Sequence, residues 1–495
     1  MVTQKFNPES ILEKLNEIEA LFPVNAWQVN GLQIWPVLRT SLAYSQNQNP
    51  NTSKKKDTAR SRRNRIKNYL KIVLKLPLEY LSLKKKLKKS NRLFFGASTH
   101  RVKLEGMFFN KFFDVAVGDF EQQHESSVIF DTSTKLDKKK YPHKDSVFSL
   151  PSFYILQELS RKLTPGKKKY KVELPGYDEF FDYALKNFQH TAPIKKTFNK
   201  RDVTKRGITL YERKEFAKRF LRDSGIKQAY FICYYSSLMY PMIAACNELG
   251  VGTADIQHGG LGRGHYCYDR WSKAPAEGYS LLPKYFWSWD ANSAALVNEW
   301  GTKTHFHRAF AVGNPWTDAS TRLYKTPPAY KDYLLVGMTE ILLDDYLVET
   351  IQHFGAQRKW VLRMHPRQYQ HKAGLEKQLI EKGIQDFAII ENPAEVPLPV
   401  SMRYCRGMLS KPSGSVIEAV EMGLKPVLLR ASNLMSYYAH YIEEQKVILP
   451  EEDTSECLIG ILQDMSWQNG GQVARAGKDQ EDKFHTFERF TAGSV

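Results

Sequence analysis

Apolar and polar positions along this chain follow two rhythms, and from about residue 226 onward the two take regular turns. Short apolar runs such as "QAYFICYY" (228–235), "VGTADIQHG" (251–259), "KYFWSWD" (284–290) and "FHRAFAVGNP" (306–315) predict strands. Between them, "SSLMYPMIAACNELG" (236–250) and "SAALVNEWG" (293–301) carry helical spacing, and the first closes on Gly250 as a helix C-terminus does. A proline-bearing linker, "YKTPPAYKD" (324–332), leads into a second half of the same design. Its predicted strands are "YLLVGM" (333–338), "KWVLRMHP" (359–366), "DFAIIEN" (386–392), "CRGMLSK" (405–411) and "KPVLLR" (425–430). Its predicted helices are "DDYLVETIQHFG" (344–355), "GLEKQLIEKGI" (374–384) and "GSVIEAVEMG" (414–423). Strands alternating with helices imply parallel sheets covered on both faces. Two doubly wound, Rossmann-like α/β domains facing a central cleft are expected, with ligands beyond the carboxyl ends of the strands.

The first 225 residues are less regular. A helix is predicted at the start, then "NAWQVNGLQIWPVLRTSLAY" (25–44), which mixes Trp27, Leu32, Ile34, Trp35 and Leu38 with Arg39. "RLFFGAS" (92–98) and "SSVIFD" (126–131) predict strands, a lysine-rich region runs to about Arg206, and "LYERKEFAKRFLRDSG" (210–225) predicts a helix. The expected division is therefore 1–50, a helical part of the first domain; 51–90, a basic insertion; 91–320, the first Rossmann-like domain; 331–470, the second; and 471–495, a C-terminal helix or tail.

Composition narrows the class. A chain of 495 residues, 42% hydrophobic and 25% charged, is expected to fold as two or three globular domains. No run of 18 apolar residues escapes a charge, so no spanning helix is predicted. The opening residues lack an apolar signal-peptide core, and the five cysteines show no C-x-x-C spacing. A disulfide framework and a zinc ribbon are thereby disfavoured, and a reducing cytoplasm is the expected compartment.

The net charge of +19 is concentrated. Residues 54–89 hold fifteen Lys or Arg against Asp57 and Glu79, a net of +13. Leucines, isoleucine and tyrosines lie between the lysines in "IKNYLKIVLKLPLEYLSL", the composition of a helix that lies on an anionic bilayer. Pro77 is expected to kink or divide it. A solvated insertion between folded pieces is the competing reading. Nucleic acid is not expected, since no zinc finger, RNP-like aromatic motif or basic zipper accompanies the charge.

Candidate chemistry gathers at strand ends. Thr339 follows "YLLVGM", His365 follows "KWVLRM", and Ser413, Gly414 and Ser415 open the helix after "CRGMLSK". A helix N-terminus offers free N–H groups and the positive end of a dipole to a phosphate. Glu418 either closes a capping box on Ser415 or faces the cleft to accept ribose hydroxyls.

The strand ending in "QHG", the "GNP" before the linker, the strand ending in "HP" and "SGSVIEAVEMGLKPV" together resemble GT-B glycosyltransferases. More narrowly, they resemble bacterial capsule and lipopolysaccharide enzymes, whose relatives include Kdo transferases, sialyl- and polysialyltransferases, and CDP-glycerol glycerophosphotransferases. That resemblance implies that His365, Ser413 and Ser415 hold the donor's nucleotide phosphates and that Glu418 takes its ribose. It also implies a sugar moved from a nucleotide donor to a glycan or lipid-linked acceptor in surface-polysaccharide assembly. The "HP" and serine motifs lean towards a CMP-linked donor, with UDP and GDP sugars open, and the basic segment would hold the enzyme at the inner face of the cytoplasmic membrane. A glycerophosphotransferase or a nucleotide-sugar 2-epimerase on the same scaffold is the first alternative, and a non-catalytic protein that binds membrane or nucleic acid is the second. Relatives show paired serines where this chain has Ser-Gly-Ser, which leaves open which serine acts.

"ADIQHGGLGRGHYCYDRW" (254–271) is the densest stretch. A metal site would need more ligands than His258, His265 and Cys267 at a spacing no structural zinc pattern matches. A structural turn accounts for the glycines but not for the surplus of His, Arg and Tyr. The preferred reading is a cleft-lining loop in which Gly259, Gly260, Gly262 and Gly264 bring N–H groups to a phosphate or sugar. Arg263 would neutralise the leaving phosphate. His258 is the first candidate base, with Asp255, His265 and Asp269 behind it. Arg39, His100, Arg101 and His265 are candidates for the acceptor side. No D-x-D motif is present, so no metal is expected, and no cofactor beyond the nucleotide-sugar substrate.

Overall fold

Leu93, Phe94 and Phe95 are all fully buried, and three consecutive apolar residues can all be buried only where a sheet is covered on both sides. The computed structural model describes residues 8–47, 59–104, 106–163, 169–324, 326–431, 434–464 and 483–492. Residues 51–58 of the predicted insertion, 465–470 of the predicted second domain, and 471–482 and 493–495 of the predicted tail lie outside the described residues.

The first domain opens with α1 (Pro8–Leu21), the hairpin β1 (Gln28–Val29) and β2 (Leu32–Gln33), and α2 (Trp35–Asn47). Ile11, Leu15, Ile18, Trp27, Trp35 and Leu38 join the main core. The basic segment forms α3 (Ala59–Lys89), one helix that continues through Pro77 instead of dividing there. Pro77 sits on an exposed face, and tertiary packing holds the turns on either side: Leu76, Leu83 and Leu87 are buried. At least its second half is thus part of the domain and no detached insertion.

β3 (Ser90–Gly96), the antiparallel pair β4 (Arg101–Leu104) and β5 (Met107–Asn110), α4 (Asp114–Gln122) and β6 (Ser126–Asp131) follow. The lysine-rich region is more ordered than its pattern suggested. It contains β7 (Val147–Ser149), α5 (Leu150–Leu163), β8 (Val172–Glu173), α6 (Tyr177–Asn187), α7 (Thr191–Thr197) and the start of α8 (Lys200–Leu221). The predicted alternation then appears as β9 (Gln228–Phe231), α9 (Tyr240–Glu248), β10 (Gly252–Ile256), β11 (Tyr285–Ser288), α10 (Ala291–Gly301) and β12 (Arg308–Ala311). Seven parallel strands are ordered β12-β11-β10-β9-β3-β6-β7, and β8 joins the hairpin as a separate three-stranded sheet.

α11 (Pro315–Leu323) leads to the second domain: β13 (Tyr333–Met338), α12 (Asp345–Phe354), β14 (Trp360–Met364), α13 (Lys372–Glu381), β15 (Ala388–Glu391) and α14 (Leu398–Tyr404). β16 (Cys405–Ser410), α15 (Gly414–Glu421), β17 (Val427–Leu428), α16 (Leu434–Glu443) and α17 (Ser455–Gln463) complete it. Its five parallel strands are ordered β15-β14-β13-β16-β17.

The last helix, α18 (Lys483–Ala492), returns to the first domain. Phe484 and Phe487 pack against Phe94, Phe120, Tyr230 and Trp287, while Glu488 accepts hydrogen bonds from Arg92 (2.7 Å) and Tyr230 (2.8 Å). Two doubly wound parallel sheets flanking a cleft, with the final helix crossing back, make the GT-B architecture. Among the described residues no helix is long and apolar enough to cross a membrane.

Each sheet reverses its winding once. In the first, β6 and β7 add on one side of β3 and β9 to β12 on the other; in the second, β14 and β15 add beside β13 while β16 and β17 take its other side. Connections leave such a point in opposite directions and open a crevice at the strands' carboxyl ends. The β3/β9 and β13/β16 crevices border the cleft where the loop after β10 crosses to α15 and α16. Gly259 lies against Gly414, and the Arg263 N–H donates to the Ser436 carbonyl at 2.7 Å.

Candidate active site

The β3/β9 crevice holds a knot of imidazole, thiol and phenol. His100 sits on the turn after β3, Cys233 and Tyr235 follow β9, and His258 follows β10. Nε2 of His258 lies 3.0 Å from the Cys233 sulfur and 3.1 Å from the Tyr235 hydroxyl, while Nε2 of His100 is 3.8 Å from the same sulfur. Cys233 occupies the left-handed region at φ +60°, a conformation costly for a residue with a side chain and commonest at functional sites. Burial, then His100, His265 and Lys111, pull the His258 pKa down to about 3. Burial, then Lys111, Arg101 and Arg367, bring His100 to about 4. Both rings are neutral near pH 7, and Nδ1 of His258 is buried without a hydrogen-bond partner among the described residues.

The loop 257–271 is braced from behind. The Gln257 amide bridges the Trp289 N–H (2.7 Å) and the Gly259 carbonyl (2.9 Å), which fixes the turn that presents His258. Asp255, a candidate base in the sequence, lies beneath this turn and accepts from the Tyr234 N–H (3.0 Å) and the Tyr268 hydroxyl (2.6 Å). Burial raises its pKa to about 7 against those two hydrogen bonds. Asp269, the other carboxylate candidate, is fully buried and holds the Gly264 N–H, Arg263 and Arg270. Neither carboxylate has a free lobe for a substrate proton; both position the loop. His265 packs on Tyr268 with its Nδ1 buried and unpartnered, and burial lowers its pKa to about 4.

Three arginines expected at the cleft are committed elsewhere. Arg39 is fully buried, paired with Glu19 at 3.0 Å, donating to the carbonyls of Tyr266, Asp269 and Arg270, and stacked 4.1 Å over Trp271. It clamps the far end of the loop and does not reach an acceptor. Arg101 is held between Asp114 (3.0 Å) and Asp131 (3.3 Å) over Tyr141. Arg263 makes a bidentate pair with Glu299. Gly260 and Gly262 serve interdomain packing: a Cβ on Gly260 would meet Ile417 at 3.3 Å, and one on Gly262 would lie 2.5 Å from the Ser436 carbonyl. Only Gly259 of the three faces open space.

Across the cleft, the β13/β16 crevice carries a chain of hydroxyls. Ser410 donates to the Gly337 carbonyl at 3.1 Å, Ser413 is 3.2 Å from Ser410, and Ser415 is 2.5 Å from Ser413. Ser413 is the N-cap of α15, with no side-chain capping bond, and Tyr438 fixes its carbonyl at 2.7 Å. The alternative of a capping box between Ser415 and Glu418 is therefore not formed. Glu418 instead lies deeper in the helix, buried, its carboxylate making no hydrogen bond among the described residues and its pKa raised by burial against the pull of Lys111 and Arg363. His365 is exposed at the end of β14, where its Nδ1 accepts the Arg367 N–H at 3.1 Å. The Thr339 carbonyl accepts from Gln368 at 2.9 Å, which ties the ends of β13 and β14 together.

Two cations complete the site, and neither was singled out from the sequence as a site residue. Lys111, between β5 and α4, acts electrostatically on His100, His258, His365 and Glu418, so it stands among residues of both domains. Arg367, from the second domain, acts on His100 and Cys233 of the first. Neither forms a salt bridge among the described residues. Lys111 had a legible signal, a lone cation inside the apolar run "MFFNKFFD" (107–114). Cys233 had none, because a left-handed backbone leaves no mark on a cysteine. Among the described residues no three His, Cys, Asp or Glu side chains converge as a metal ion requires.

No protein-family model and no curated protein matches the chain. Among solved structures, UDP-GlcNAc 2-epimerase from Neisseria meningitidis, bound to UDP-GlcNAc, is 11% identical, with 81% of this chain and all of that one covered at a TM-score of 0.48. MurG from Acinetobacter baumannii is 9% identical, covering 81% and 99% at 0.41. The wall teichoic acid polymerase TagF is 11% identical, covering 87% and 98% at 0.41. At such values the fold assignment rests on the strand orders above and nothing about the site is carried across.

Proposed function

We propose that this protein is a glycosyltransferase that moves a sugar from a nucleotide donor to a glycan or lipid-linked acceptor in surface-polysaccharide assembly, on the cytoplasmic side of the membrane. One observation carries the reading. Two cations that form no salt bridge among the described residues, Lys111 and Arg367, come from opposite domains to a cleft lined by a serine-bearing helix start and neutral histidines. Unpaired cations in a partly buried cleft call for an anion, and the geometry suits a diphosphate or phosphodiester lying between the domains.

In this reading the phosphates lie along the first turn of α15, held by Ser413, Ser415, Gly414 N–H and His365, with Lys111 and Arg367 balancing their charge. Glu418, whose buried carboxylate has no hydrogen-bond partner among the described residues, accepts the ribose hydroxyls, and Thr339 borders the base. The "HP" and serine motifs favour a CMP-linked sugar. Stabilising the departing nucleotide lowers the barrier to breaking the sugar–phosphate bond. His258 receives the acceptor hydroxyl's proton on Nδ1, while its Nε2–H donates to the Tyr235 oxygen, which fixes the ring. Arg101 and Asp255 act through the loops they brace.

Calorimetric titration with CMP, CDP, UDP and GDP tests this on the wild type, His365→Ala and Lys111→Ala. One nucleotide should bind, and both variants should lose it. No binding by any of the four overturns the reading. Turnover of a nucleotide sugar with no acceptor present would replace it by an epimerase, and transfer from CDP-glycerol by a glycerophosphotransferase.

A further inference from the structure

The exposed face of α3 has an order of its own. Leu74, Leu78 and Leu81 are 80%, 74% and 62% exposed, and their spacing puts all three on one line of the helix. The same line continues through Lys85 and Lys88, both exposed. The opposite line, Leu76, Leu83 and Leu87, is buried in the domain. Folding has therefore satisfied one apolar face and left a second, ending in lysines, uncovered. Three large aliphatic side chains exposed together are a cost in water that a monomer ordinarily avoids.

Beside this line, toward the domain, lies a cavity of about 180 Å³. Lys84, Lys88 and Arg219 line it above Tyr80, Phe216 and Phe220, with Asp223 as its one carboxylate. Tyr80 is locked edge-on against Phe220 at 5.3 Å, so the aromatic floor belongs to the folded domain.

We propose that this face of α3 docks on an anionic phospholipid bilayer, with Leu74, Leu78 and Leu81 entering the acyl region. A headgroup phosphate then seats between Lys84, Lys88 and Arg219. Charge complementarity selects this occupant over a second copy of the chain, because two copies meeting on this face would bring the exposed Lys84, Lys85, Lys88 and Lys89 of each together. Leucines at one end and lysines at the other match the acyl-to-phosphate gradient of a bilayer interface. The inference stands apart from the transferase reading and needs no nucleotide.

Sedimentation of the full chain with vesicles of phosphatidylcholine, alone or mixed with phosphatidylglycerol, tests it. The wild type should pellet with the mixed vesicles only, and salt should release it. Lys84→Gln with Lys88→Gln should lower the partition constant roughly 30-fold, taking about 1 kcal/mol per basic residue. Leu74→Ser with Leu78→Ser and Leu81→Ser should lower it by at least about 100-fold. All five positions are exposed, so unchanged thermal melts will show the variants folded. Equal binding to neutral vesicles, or wild-type binding by the leucine variant, overturns the proposal. So does a leucine variant that converts a dimer to a monomer without vesicles, since a second copy would then cover the face.

Discussion

Gly262→Ala tests whether the domain approach at the cleft matters. A Cβ there would lie 2.5 Å from the Ser436 carbonyl oxygen and 2.6 Å from the Tyr437 Cα, both backbone atoms of α16. Ordinary contact begins near 3.4 Å, so one backbone must yield by about 1 Å, with no flexible side chain to absorb it. Overpacking of this kind costs about 1–3 kcal/mol. The easiest relief is to part the domains, which also stretches the 2.7 Å bond from the Arg263 N–H to the Ser436 carbonyl. If the nucleotide needs both domains, that cost appears as about a 5- to 150-fold rise in its Kd. Gly259→Ala is the control: its Cβ meets nothing within 4 Å. Calorimetry with the nucleotide that binds the wild type, and X-ray scattering for the domain separation, read the outcome. Unchanged affinity in Gly262→Ala, or equal loss in both variants, would refute the reasoning.

Removing Arg39 as Arg39→Met leaves Glu19 buried without its cation and should cost about 3–5 kcal/mol in stability, read by denaturant unfolding of the first domain. His307 is fully buried, with its Nδ1 on the Pro283 carbonyl at 2.8 Å, and burial lowers its pKa to about 4. The unfolded chain binds its proton below about pH 6.5, so it stabilises fully above that value and less and less as the pH falls to about 4. Its slope is at most about 1.4 kcal/mol per pH unit, measured as unfolding free energy against pH, with a flatter profile expected in His307→Gln. Asp255 has the opposite sign, since its raised pKa makes the folded state hold a proton that the unfolded state releases from about pH 4. Asp255→Asn should therefore gain stability relative to the wild type between pH 5 and pH 7, and a constant difference across that window would refute the assignment.

The long buried strands were legible because burial on both faces leaves nothing polar to interrupt them, as in "RLFFGAS" and "YLLVGM". The two-residue strands β1, β2 and β8 were not, since no period can be read from two positions. In the lysine-rich region the signal was present but masked: Tyr177, Phe180 and Ala184 are buried at helical spacing, while Asp178, Glu179, Asp182 and Lys186 lie on the outer face. At the site, strand ends could be located because winding reversal dictates where crevices open. His100, His258, Thr339, Ser413 and Ser415 all lie there. Which arginine is free and which is spent could not be read. Arg39 is neutralised by Glu19, 20 residues away, and held by carbonyls more than 220 residues away, partners that only the fold brings together.

The depressed histidines bear on the order of events in the cleft. Burial first, then His100 and His265, and last the positive charge of Lys111 hold His258 neutral while no anion is present, and a base whose pKa is about 3 takes a hydroxyl proton poorly. If the proposed donor binds, a phosphate group beside Lys111 offsets that part of the repulsion and adds an attraction, so the proton affinity of His258 should rise. By linkage the reverse holds as well: a protonated His258 favours the donor. Nucleotide binding should therefore draw in a proton, more at pH 6 than at pH 8. Calorimetry in two buffers of different ionisation enthalpy measures that uptake, and subtracting the same measurement on His258→Asn removes the nucleotide's own titration. An uptake equal in wild type and variant would mean that His258 does not sense the phosphates, and the base would then have to be sought at His100, which feels Lys111 and Arg367 together.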